Sequence, residues 1–388
     1  MATYNVGSGQ TYSTIADAYA AVVSAVGGTA ATETHYIDLY GGATFSENIT
    51  LGSYWLCFVT PENPLVIRTA DGESRATISG NISGSFMPYF RMEDVDFTGT
   101  IAPNYMSWGF KLLRCTCSLV KTTMSFLQSV VFEDCDIDSG AGPSYTWYTG
   151  SAQVSVLFRN CRIKNRVSLF WVADGSERVR FEGCRFELSG AAPIINHTYS
   201  GSNYELSNIT FLHCSFYFST TSQAHIAKFE IPTPTSATGC PQGEYIFRNN
   251  IFYGASGGDS RVIEFTGDGG YVGRDALEMT GNRYYQMSKI LLSGDFDIST
   301  VSGMQAIGLD TYSTEGDPGF ASTTWGNSNF LDISASLGTA KNVGIYEDDA
   351  ATAREKWSNI DPGAHQYAAA EESAGGAQLG AFENGAWR

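Results

Sequence analysis

Positive charge is scarce in this 388-residue sequence: 23 Lys and Arg stand against 40 Asp and Glu, for a formal net charge of −17. Sequence-independent binding to a nucleic-acid backbone needs a basic surface that displaces counterions, so that class is excluded. A polybasic membrane contact is excluded on the same ground. No apolar run is long enough to cross a bilayer. The opening MATYNVGSGQTYST has neither the basic nor the apolar region of a secretory signal. The expectation is a chain made and kept in a cytoplasm, where its eight cysteines stay reduced. Familiar catalytic settings are missing as well. The five histidines are scattered, none beside a recognisable Ser or Cys nucleophile. The glycine-rich pieces GSG and GGDS lack the strand–loop–helix setting of a phosphate cradle. No cofactor is implied.

What the sequence does have is glycine and aromatics: 42 Gly, 21 Tyr and 23 Phe, with 43% hydrophobic and only 16% charged residues. That composition suits many short strands separated by tight turns, around a real core. Internal repetition gives the strands an order. The segment FRNCRI, starting at Phe158, has counterparts starting at Met92, Leu112, Phe132, Phe181, Phe211, Phe247 and Met279. Successive starts lie 20, 20, 26, 23, 30, 36 and 32 residues apart, the signature of a solenoid whose loops vary from coil to coil.

Counting the first apolar residue as position zero, positions zero, three and five are apolar or small, and positions one and four are mostly polar. Strict alternation would not skip from zero to three, so position two sits at a bend between two strands. Its occupants are Asp94, Arg114, Asp134, Asn160, Gly183, His213, Asn249 and Gly281. All except Arg114 are types that tolerate a left-handed backbone. Position three then stacks Cys115, Cys135, Cys161, Cys184 and Cys214 in one inward line, continued by Asn250 and Asn282 as an amide ladder. Five parallel thiols do not converge on a tetrahedral metal, and they suit a disulfide dihedral poorly. They read as core packing. Cys57, Cys117 and Cys240 fall outside the line and receive no role.

These bends and stacked coils resemble the right-handed parallel β-helix of the pectate-lyase-like superfamily. The stretch VGSGQTYSTIADAYAAV (6 to 22) resembles the strand and end-plugging helix that open many such proteins. Thr14 and Asp17 form a capping box there, and Ile15, Ala18, Tyr19, Val22 and Val26 an apolar face. PLVIRTADGESRATISG (64 to 80) resembles the early coil that follows. MQAIGLDTYSTEGDPGF (304 to 320) and NIDPGAHQY (359 to 367) resemble a C-terminal segment of bacterial and phage β-helix proteins. The expected fold is all-β, a single-stranded right-handed parallel β-helix. The expected divisions are an N-terminal strand and capping helix (1–34), the coils (35–300) and an irregular C-terminal cap (301–368). An Ala/Gly-rich tail (369–388) that docks on a neighbour completes the chain. Loops widen at 139 to 153, 190 to 208, 219 to 244 and 254 to 275.

Function is less constrained, because this scaffold hosts many activities. Outward positions stack Glu133, Arg159 and Glu182, and beside them Asp136, Arg162 and Arg185, as cross-strand charge pairs. The last three are the saccharide-site candidates if the chain acts on polysaccharide. The tripeptide RIK (162 to 164) is similar to a polygalacturonase element, but the NTD, DD and GHG elements that accompany it in that family are absent. The first expectation is a non-enzymatic structural component of a bacteriophage particle, a head decoration or tail-associated protein. It would be assembled in the host cytoplasm, with other virion proteins and further copies of itself as partners. The alternative is an extracellular polysaccharide-degrading or polysaccharide-binding protein: a lyase, a hydrolase or a tailspike.

Overall fold

The computed structural model describes residues 1–51, 59–85, 89–99, 101–105, 107–117, 127–138, 147–150, 154–165, 170–174, 177–190, 193–198, 208–230, 245–266, 277–294, 296–310 and 312–334. Its organising element is the bend. All eight predicted bend residues have a left-handed backbone: Asp94 (φ 55°), Arg114 (52°), Asp134 (54°), Asn160 (54°), Gly183 (60°), His213 (52°), Asn249 (57°) and Gly281 (65°). Arg114, the apparent exception, bends like the rest. A forked contact to the preceding bend residue, Asp94, offsets the strain, with Nε–Oδ1 at 2.7 Å and Nη2–Oδ2 at 2.6 Å. The bends also bond along the axis: Asn160 N–H donates to Glu182 O (2.8 Å), and Gly183 N–H to Leu212 O (2.9 Å).

On either side of the bend lie two long sheets. In the first, Ala2–Val6 leads, and ten further strands each open one coil: His35–Leu39, Leu65–Thr69, Phe90–Glu93, Lys111–Leu113, Leu127–Glu133, Val154–Arg159, Glu177–Glu182, Asn208–Leu212, Tyr245–Arg248 and Leu277–Thr280. The second sheet runs from Thr44–Phe45 to Thr314–Glu315, with the second strand of each coil between. Every pairing in both is parallel, and each residue faces its counterpart in the next coil, as Phe132↔Phe158 and Asp136↔Arg162 do. The chain is a right-handed parallel β-helix, the hand that parallel crossovers adopt.

A third sheet closes the coils on either side of residues 118–126, and it corrects the reading of the loops. Among the described residues it comprises a three-stranded piece (Ile49–Leu51, Ile82–Ser85, Ile101–Tyr105) and a seven-stranded piece from Trp147–Gly150 to Asp297–Ile298. Ala224–Glu230 and Ser260–Thr266, read as loop, are two of its strands. Each is apolar enough to bury residues from both halves of a kink, which blurs the alternation that marks a strand. Gly80 and Gly99 sit where the chain turns toward this sheet. A Cβ there would fall 1.8 Å from Glu47 O and 1.9 Å from Gly80 O, so the coils can approach only without side chains.

The core consists of axial stacks. Phe132, Phe158, Phe181, Phe211 and Phe247 lie ring on ring at centroid spacings of 4.6, 4.8, 4.7 and 5.1 Å. Phe186, Phe216, Phe252 and Tyr284 form a second stack at 4.7, 5.1 and 5.0 Å. Cys117, left without a role by its sequence, is the fully buried member of that position-five line in its own coil. Between the stacks runs the predicted line of Cys115, Cys135, Cys161, Cys184 and Cys214, all buried.

This line does more than pack. Each thiol faces the position-zero carbonyl of the preceding coil, Cys161 Sγ that of Phe132 (3.4 Å) and Cys184 Sγ that of Phe158 (3.4 Å). Asn250 and Asn282 make the same bond, from Nδ2 to Phe211 O (3.0 Å) and Phe247 O (2.9 Å). Their Oδ1 atoms accept from Cys214 N–H and Asn250 N–H, both at 2.9 Å. The ladder ends on buried Asp310, which accepts from Asn282 Nδ2 (3.2 Å), Tyr284 Oη (2.5 Å) and Ser313 Oγ.

Both ends carry a helix whose first turn is tied down by a glutamate. Helix α1 (Ile15–Val26) is capped by Thr14, whose Oγ1 accepts from Asp17 N–H (3.0 Å), and it buries Ile15, Ala18, Val22 and Val26. Glu47 of the first coil accepts from Ile15 N–H (2.6 Å) and Ala16 N–H (3.0 Å), where the helix dipole favours an anion. In helix α2 (Val301–Ala306), Glu315 does the same for Val301 N–H (2.7 Å). No helix among the described residues is long and apolar enough to cross a membrane. The tail 369–388, the C-terminal cap beyond residue 334, Cys57 and Cys240 lie outside the described residues.

Candidate functional site

The three saccharide candidates do come together, on the outer face of the second sheet in coils five, six and seven, where Asp136, Arg162 and Arg185 are in register. Arg162 forks through Nε and Nη2 onto the Asp136 carboxylate, which holds its guanidinium above the ordinary pKa. Their other contacts are to the C-terminal segment 316–334, which runs back across this face as a strap. Arg162 Nη1 donates to Asn327 O (3.3 Å). Arg185 Nη1 donates to Phe330 O (3.0 Å) and pairs with Asp332 at 3.2 Å. Trp325 lies over the same strip, 6.0 Å from the Arg162 guanidinium and 5.8 Å from Lys164 Nζ. Arg185 keeps only 7% of its surface, and this burial lowers its pKa against the pull of Asp332. The strap covers both arginines.

Further along the same face Tyr217, Tyr253 and Tyr285 stack at 5.4 and 5.1 Å, with Phe320 of the strap edge-on to Tyr253 at 5.8 Å. A sugar stacks on an aromatic face. Rings piled along the axis turn their faces to each other and only their edges outward.

A second cluster, which sequence reasoning missed, lies on the third sheet in coils eight and nine. Ile226 and Ala227 are both buried in the core, as are Val262 and Ile263, so the two strands kink together. The kink sets His225 and Lys228 on the outer side, with Arg261 and Glu264 beside them. His225 Nε2 is hydrogen-bonded to Glu264, which also accepts from Arg261 Nη1 (2.7 Å) and faces Lys228 Nζ at 3.9 Å. Asp259 grips Arg261 at 2.9 and 2.7 Å. His225 is only 3% exposed, and its Nδ1 has no hydrogen-bond partner among the described residues. Burial lowers its pKa, so the neutral ring donates from Nε2 and leaves a lone pair on Nδ1. Desolvation opposes ionisation of Glu264, but Arg261, His225 and Lys228 together hold its pKa below the usual value. The cluster orients a neutral histidine that could accept a proton only where its buried Nδ1 is uncovered. Its 39-residue separation in sequence follows no repeat position. The polar–apolar–apolar–polar–apolar–polar pattern shared by HIAKFE (225 to 230) and RVIEFT (261 to 266) was the signal available.

Among the described residues no group of three or more His, Cys, Asp or Glu is placed to hold a metal ion. Cys115, Cys161 and Cys184 are poor nucleophiles, since burial pushes Cys115 up to about 12 and Cys161 and Cys184 well above their ordinary value.

No protein-family model matches the chain, and no curated protein matches it. Among solved structures the chain is similar to the pectin methylesterase of Aspergillus niger in two states. The penultimately deglycosylated form, with an N-acetylglucosamine stub, matches at 14% identity and a TM-score of 0.34, over 81% of this chain and 90% of that one. The deglycosylated form matches with the same identity and coverage at a TM-score of 0.30. At this distance the likeness concerns coil architecture alone and says nothing of this chain's chemistry.

Proposed function

We propose that the chain is a rigid, non-enzymatic structural component of a larger particle, with a bacteriophage head or tail as the setting that its C-terminal sequence resemblance suggests. One observation carries this reading: the outward charges of the second sheet that would read a saccharide are engaged with each other and with the strap. Lys111–Glu133 (2.6 Å), Arg159–Glu182 (3.0 Å) and Arg248–Glu278 (2.7 Å) neutralise the first sheet in the same way. Such pairs stiffen the stack and leave little free charge for a ligand. Its partners would be other virion proteins and further copies of itself. The test is quantitative mass spectrometry of purified particles, with a polysaccharide panel alongside. Many copies per particle and no new saccharide ends support the scaffold; cleavage of any panel member sinks it.

The second reading, a polysaccharide-degrading or polysaccharide-binding protein, is favoured by the Glu264-held His225, which supplies acid–base chemistry beside Arg261 and Lys228. On that reading His225→Ala abolishes turnover of a cleaved polysaccharide while the fold persists. Turnover that survives the substitution removes this reading's support.

A further inference from the structure

In a solenoid each coil touches only its neighbours, so opening can begin at any weak junction and spread along the axis. The strap breaks that rule. It leaves coil ten at Arg283, whose Nε donates to Gly316 O (3.1 Å) and Nη2 to Asp317 O (3.1 Å). It meets coil nine where Phe320 abuts Tyr253, coil seven at Arg185, and coil six at Arg162 and Lys164. With coils roughly 4.8 Å apart, it covers about 19 Å of axis. It is also closed on itself: Ala321 N–H donates to Asp332 O (2.7 Å), Leu331 N–H to Ser322 O (2.8 Å) and Ser334 N–H to Gly319 O (2.9 Å). Phe330 and Leu331 are fully buried and Ile333 nearly so. A loop that bonds its own backbone and buries its own apolar residues behaves as one piece rather than as a string of independent contacts.

We propose that segment 316–334 is a clamp that binds coils six to ten into a single cooperative unit, with a boundary on the N-terminal side of coil six. The physical argument is additive. Parting coils seven and eight breaks the nearest-neighbour bonds of that junction and also pulls Arg185 from Phe330 O or Arg283 from Gly316 O. The same holds at every junction between coils six and ten. Among the described residues no strap crosses coils one to four, where a single exposed contact, Arg75 Nη1 to Thr116 Oγ1 at 3.5 Å, skips a coil, and they open with little more than the stability of their own junctions.

Native-state hydrogen exchange on the full chain, read by mass spectrometry, tests the clamp. Arg185→Ala removes its grip on coil seven. Exchange should then accelerate roughly ten- to a hundredfold, the scale of a lost charged hydrogen bond. The acceleration should appear together in Arg162–Asn165, Arg185–Leu188, Ser215–Phe218 and Ile251–Tyr253, and leave His35–Leu39, Leu65–Thr69 and Phe90–Glu93 unchanged. Phe320→Ala, which loosens the strap at coil nine without touching a charge, should give the same spatial pattern, and it serves alone should Arg185→Ala not fold. Acceleration confined to residues 316–334 would show an ornament rather than a clamp. Equal acceleration in coils one to four would show a general loss of stability. Either result overturns the proposal.

Discussion

Cys161 and Asn250 do the same work with different atoms. Each stands at position three of its coil and donates to the carbonyl of position zero one coil earlier. A thiol is a weak donor but packs as a small hydrophobe, so it suits a line between two phenylalanine stacks. Cys161→Ser should cost roughly 1–3 kcal/mol, because the shorter, more polar hydroxyl reaches the carbonyls poorly in an apolar line. Urea denaturation of both proteins would measure it. The six described cysteines should resist alkylation until the protein unfolds, which labelling with and without denaturant would reveal. A different residue sets the response to acid. Desolvation drives the His213 pKa down to about 4, and His35 and His225 shift the same way. The folded state therefore binds fewer protons than the unfolded chain, and stability is lost as pH falls from about 6.5 toward 4. His213→Asn keeps a residue that tolerates the bend and should remove roughly 1–3 kcal/mol of that loss, as seen in urea midpoints taken at pH 7 and pH 4.5.

At the scale of the element, one left-handed residue per coil decides where the first sheet ends and the second begins. Asn160→Ala should therefore cost about 1–2 kcal/mol, while Asn160→Gly stays close to neutral, since the strain comes from the Cβ. Thermal melts of the two variants would separate them. This element was legible in the sequence because it repeats with a fixed internal spacing: Phe158, Asn160, Cys161 and Ile163 recur in every copy as the same four roles. Helix α1 was legible through Thr14, Asp17 and its apolar face. The third sheet was not. Ala224–Glu230 and Ser260–Thr266 kink in mid-strand, and the distance from bend to third-sheet strand is not fixed along the chain, being longer from Asp134 to Trp147 than from Gly281 to Lys289. The strap was hidden for a related reason. Contacts such as Arg185 to Phe330, 145 residues apart, arise only when the chain doubles back, and no local pattern marks them.

For the whole molecule the excess of acid matters more than any one pair. Ladders on the outer sheets pair many of the described basic residues, and the excess carboxylates repel one another across the surface. Moderate salt should then stabilise the protein, because screening relieves the net charge of −17 more than it weakens exposed pairs worth about 0–1 kcal/mol each. Calorimetry at low and physiological ionic strength should show the melting temperature rising with salt. The candidate site was legible only at its centre. Register alone aligned Asp136, Arg162 and Arg185, but what covers them belongs to the tertiary fold. A last consequence follows from the amides that end the cysteine line. Asn250 accepts from Cys214 N–H while it donates to Phe211 O, a pair of bonds that a thiol makes only weakly. A chain mis-threaded by one rung would still offer each amide main-chain partners, but it would part Asn282 from the Asp310 carboxylate that ends the ladder. Asn282 thus acts as an index mark on a molecular ruler, by which a winding chain can tell its tenth turn from its ninth.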